Sequence, residues 1–155
     1  MTLFLVLAIL LPWSIWRQMH AHEVTANGLI KLPTIFAIVG VATLGGADFS
    51  GTGTLVYLGA SMLLSAALGA WRGASLSIWR EGGAWISKGN RLTIGLWVTL
   101  IAIKFALGTI ASVTGDLPTE TVGEVFLFLG LSFAVQNVVV ARRTLWSGAR
   151  QAATA

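Results

Sequence analysis

Residues 71–92 read WRGASLSIWREGGAWISKGNRL. Four of the chain's ten Lys and Arg residues, Arg72, Arg80, Lys88 and Arg91, fall in this stretch. Apolar runs flank it, at about 53–71 and about 92–114. Each run is close to the roughly 20 residues that a membrane-crossing helix needs. A cationic loop between two such runs is retained on the cytoplasmic side of a membrane. This reading sets an all-α membrane bundle and its orientation.

Three more apolar segments lie outward from this loop, at about 2–16, 29–45 and 122–141. Arg17 and Lys31 flank the first connection, while the second, around Asp48, has no base. The fourth connection holds Asp116 and Glu120 and no base, and Arg142, Arg143 and Arg150 follow the last segment. Cationic and non-cationic connections thus alternate, which predicts five spans with the N-terminus out and the C-terminus in. The first segment has no basic start and no small-residue cleavage site, so it reads as an uncleaved span. Trp13, Trp16, Trp71, Trp79, Trp85 and Trp146 fall at or below the same inner interface, where an amphipathic ring is favoured. Pro33 is expected in the first turn of the second span, where proline is tolerated.

Composition agrees with lipid as the main solvent. Of 155 residues, 55% are hydrophobic and 10% charged, with a mean hydropathy of +0.81. Soluble domains are about 25% charged. With no Cys, disulfides and thiolate metal sites are excluded. The net charge of +4 is divided among short loops, which fits anionic lipid headgroups and not nucleic acid. The chain reads as one integral membrane domain.

Within the opening stretch, residues 75–88 are expected to form a β-hairpin. A three-residue Glu81-Gly82-Gly83 loop, closed by positive φ at Gly83, would pair Trp79 with Trp85, Ile78 with Ile86 and Ser77 with Ser87. The rival is an interfacial amphipathic helix, which would carry two adjacent central glycines at about 1 kcal/mol each. An isolated hairpin is marginal in water, so it must lean on the membrane face or a partner.

The residues Arg72-Gly73, Trp79-Arg80-Glu81-Gly82-Gly83, Lys88-Gly89, Thr93 and Leu96-Trp97 resemble the CcdC-like family, small multi-span bacterial membrane proteins named for genes near cytochrome c biogenesis loci. The resemblance covers about the central third of the chain. It implies a multi-pass protein of the bacterial inner membrane and supplies no catalytic residues.

The third span carries Ser61, Ser65, Gly69 and Gly73 at i, i+4 spacing, a stripe that lets another helix approach closely. This face either packs within the monomer or, with Trp79 and Trp85 of the hairpin, docks another subunit. Lys104 stands alone as a base deep in a span, about 13 residues in, or roughly 20 Å at 1.5 Å per residue. A buried charge there costs at least about 2.5–3.5 kcal/mol unless it snorkels or finds a partner. Its stripe continues through Gly108 and Ser112, and depth matching predicts contact with Ser132 or Gln136, then Asn137 or Glu124. His20 and His22 form a His-x-His pair past the first span, the minimal start of a haem or metal site. Asp116, Glu120 and Glu124 give an acidic outer mouth, read mainly as solvated charge.

No nucleophile–base set or phosphate loop stands out in the sequence. The leading expectation is a non-enzymatic accessory or assembly subunit without a resident cofactor. It would act through lipids and another membrane protein, or a second copy of itself. The alternatives are a small-solute transporter or channel using Lys104, and a haem or metal handler through His20 and His22.

Overall fold

The computed structural model describes residues 2–44, 51–114 and 122–153. Their order is α1 (Thr2–Met19), β1 (His22–Glu23), α2 (Ala26–Thr43), α3 (Thr52–Ser75), β2 (Ser77–Glu81), β3 (Ala84–Lys88), α4 (Arg91–Thr114) and α5 (Val122–Ala153). The described residues are thus mainly helical, with one small sheet. Three helical segments among them are long and apolar enough to cross a membrane: Ala26–Thr43, Thr52–Ser75 and Gly123–Thr144.

Helix α5 is the centre of the bundle. On one side, Ser65 donates to the Phe128 carbonyl. A Cβ on Gly69 would collide with the Ser132 backbone, and one on Gly73 would stand 2.7 Å from the Gln136 carbonyl. Steps of four on α3 match steps of four on α5 in the same direction, so these helices run parallel. Ser65, Gly69 and Gly73 of the small-residue stripe are therefore engaged in contact within the chain. On the other side, a Cβ on Gly123 would stand 2.9 Å from the Gly40 carbonyl, and one on Gly130 would stand 3.2 Å from the Ala37 amide. There the numbering runs in opposite directions, so α2 is antiparallel to α5. Phe36, Phe126, Phe128, Phe133, Trp97 and Leu100 fill the core.

Helix α2 starts at Ala26, earlier than the expected span. Thr25 sets this boundary as N-cap, its Oγ1 accepting from the Gly28 amide at 3.2 Å. Pro33 consequently sits inside the helix and not in its first turn. It cannot donate to the Leu29 carbonyl four residues back. Asn137 of α5 donates its Nδ2 to that carbonyl instead.

The sheet has the order β1-β3-β2. Its turn has two central residues, Gly82 (φ 59°) and Gly83 (φ 88°), the positive pair that a type I′ hairpin turn needs. The register is Trp79↔Ile86, Arg80↔Trp85 and Glu81↔Ala84, which corrects the expected Trp79–Trp85 pairing by one residue. The shorter loop puts the two indoles on opposite sheet faces. Strand β1 was not foreseen; it pairs His22 with Ser87 and Glu23 with Ile86. The hairpin thus leans on the chain's own first connection. A capping box follows at Asn90, where Oδ1 accepts from the Thr93 amide (3.0 Å) and Thr93 Oγ1 accepts from the Asn90 amide (3.2 Å), starting α4.

Candidate functional site

The most demanding polar group is one that the sequence reading had counted as a loop charge. Arg72 stands on α3 seven residues after Ser65, on the face turned to α5, and is 1% exposed. Its Nε donates to Gln136 Oε1. Its guanidinium carbon lies 4.2 Å from the centroid of the Trp97 ring and 5.1 Å from that of Phe133. Aromatic faces attract the cation, yet both terminal nitrogens are buried without a hydrogen-bond partner. A buried charge without full pairing is costly, which sets this group apart among the described residues.

Around Arg72 the side chains form a relay. Trp97 Nε1 donates to Gln18 Oε1 at 3.2 Å, tying α4 to α1. Gln136 (4% exposed) and Gln18 (8%) each give their carbonyl oxygen to these bonds, so each keeps its amide nitrogen. Both line a cavity of about 50 Å³ at the sheet end of the bundle, together with Arg17, His22, Ser87 and Asn137. Nearby, Arg143 Nη1 donates to the carbonyls of Gly73 (2.8 Å), Ala74 (3.0 Å) and Leu76 (2.8 Å). These carbonyls lie at the C-terminal end of α3, where a cation is favoured.

Lys104 makes no hydrogen bond to Ser132 Oγ or Gln136 Oε1, the partners expected first. Its Nζ donates to Ser61 Oγ at 3.3 Å and lies 4.7 Å from the Phe128 ring centroid. Gln136 Oε1 is committed to Arg72, and Ser132 Oγ is buried without a hydrogen-bond partner. The depth estimate compared α4 with α5, but the nearer hydroxyl is on α3, whose antiparallel packing brings Ser61 level with Lys104. Asn137 serves the Leu29 carbonyl. Glu124 is buried in the first turn of α5 and not at a solvated mouth. Asp116 and Glu120 lie outside the described residues, as do the surroundings of Gly108 and the side chain of Ser112.

The two histidines go different ways. His20 Nδ1 is 2.8 Å from the Trp16 carbonyl, and its ring lies 4.4 Å from the Trp16 ring. His22 Nδ1 is 3.0 Å from the His20 carbonyl, and its Nε2 is 3.3 Å from Ser87 Oγ. Among the described residues, no cluster of three or more His, Cys, Asp or Glu forms a metal-binding group. On the sheet, Trp79 is exposed and donates to Glu81 at 3.2 Å, while Trp85 is half-buried with Arg80 over its ring at 5.8 Å.

Signals for the interior site are present but faint in sequence. Arg72 continues the small-residue face by a heptad step, and Gln136 lies four residues after Ser132 on the opposing helix. No protein-family model, curated protein or solved structure matches the chain, so the resemblance to the CcdC-like family stands on the quoted residues alone.

Proposed function

We propose that this chain is a five-span, N-out/C-in protein of the bacterial cytoplasmic membrane that works as a non-catalytic accessory or assembly subunit, through contact with another membrane protein. The observation that supports this best is the free edge of β2. Among the described residues, strand β2 pairs on one side only, with β3, and four of its five residues are exposed. An edge strand offers a row of unpaired amides and carbonyls to an added strand, and Trp79 and Arg80 supply residue types common in interface centres. With the small-residue stripe used internally, the sheet is the remaining element of the expected docking surface.

Gentle detergent extraction followed by cross-linking mass spectrometry tests the reading. The expected result is a stoichiometric membrane protein whose cross-links map to residues 77–81. A chain that purifies alone, or cross-links that map only to the lipid-facing helices, overturns it. A second reading, handling of a small solute, draws on the buried Lys104, held by Ser61 and the Phe128 ring.

A further inference from the structure

The cavity beside Gln136 has a donor-rich lining with a buried cation behind it. We infer that it binds a single oxyanion group of the phosphate class, with the amide nitrogens of Gln18 and Gln136 and the Arg17 guanidinium as donors and Arg72 as the charge behind Gln136. This inference is independent of the partner reading.

The chemistry follows from the hydrogen bonds already made. Gln136 Oε1 accepts from Arg72, and Gln18 Oε1 accepts from Trp97. With each carbonyl oxygen engaged in this way, the amide N–H groups are the donors that the two side chains have left for the cavity they line. Neither Nε2 has a partner among the described residues, although both side chains are more than nine-tenths buried. Arg17 adds a third donor and a positive charge from the end of α1. His22 and Ser87 face each other, and Asn137 donates to Leu29, so these three have prior commitments.

Charge selects among acceptors. Arg72 has no carboxylate partner, and its bond polarises the Gln136 amide toward stronger donation on the cavity side. Glu23 also lines the cavity, but it is exposed and its charge is screened by water. An acceptor-only, negatively charged group matches the donors that Gln18, Gln136 and Arg17 bring to this lining. A volume of about 50 Å³ is several times the roughly 10–15 Å³ that one water occupies on the same measure, so it admits a compact head and not a large ligand. The same phosphate chemistry is available from inorganic phosphate and from an anionic lipid headgroup.

The test uses the full chain in detergent, titrated with inorganic phosphate at constant ionic strength, with tryptophan fluorescence as the readout because Trp97 adjoins the site. A parallel arm reconstitutes the chain in phosphatidylglycerol or phosphatidylcholine nanodiscs and counts retained lipid by native mass spectrometry. Gln136→Glu keeps an acceptor for Arg72 while replacing the donor with a negative charge, and Gln18→Leu removes a donor away from Arg72. Each should weaken binding about tenfold or more, the scale of a hydrogen bond to a charged group. Lys88→Gln, at an exposed position, should leave it unchanged. Saturable phosphate binding identifies a free anion as the source, and retained phosphatidylglycerol identifies a headgroup. Absence of both overturns the inference, as does binding that both glutamine variants leave intact.

Discussion

Replacing Asn137 with Ala should expose the weak point of α2. Pro33 withholds the amide that the Leu29 carbonyl would otherwise accept, and Asn137 is the donor that replaces it. The substitution removes one interhelical hydrogen bond, worth about 0.6 kcal/mol on average in membrane proteins. It also leaves a carbonyl without a donor between two packed helices, which costs about 1–3 kcal/mol. The expected loss is therefore roughly 1–2 kcal/mol, a factor of about 5–30 in the unfolding equilibrium. The diagnostic is a double-mutant cycle. Pro33→Ala restores an amide to the helix, so Asn137→Ala in that background should cost less than about 0.6 kcal/mol. Steric-trapping or detergent-titration unfolding of the four proteins in bicelles gives the coupling energy. Equal costs of Asn137→Ala in both backgrounds would refute the account of why the two residues belong together.

Gly69→Ala forces a methyl into the Ser132 backbone and should destabilise by about 1–3 kcal/mol in the same unfolding assay. Gly59→Ala, on the same helix with open space around it, should be neutral or stabilise by up to about 1 kcal/mol. Because the chain has no cysteine, Lys88→Cys provides a label site without background. A membrane-impermeant maleimide should reach it from the cytoplasmic face alone, and labelling from the outer face would reverse the proposed topology.

The apolar runs, the central hairpin and the close-packing stripe on α3 are legible in the sequence because each rests on local periodicity or turn chemistry. The hairpin register was lost by one residue, since adjacent glycines permit either a two- or a three-residue loop and only the backbone at Gly82 decides. Strand β1 is two residues long, too short for any alternation, and it exists because β3 has an open edge. The interior site was missed for another reason. Positive-charge counting treats Arg72 as one more loop cation, yet α3 continues to Ser75 and carries it inward with the small-residue face. Lys104 drew attention by its depth, but depth fixes the level of a partner and not the neighbouring helix.

The parallel contact of α3 with α5 repeats every four residues, and such a repeat is ambiguous. Sliding one helix past the other by four residues, about 6 Å, would again set small side chains against backbone. What distinguishes the native alignment is the pairing of Arg72 with Gln136, because the same shift brings it level with Val140 or Ser132. Val140 offers no acceptor, and the Ser132 hydroxyl is too short to replace the longer amide. The buried cation thus works as a key cut for one notch: it lowers the worth of the correct assembly somewhat and makes each neighbouring misalignment far worse.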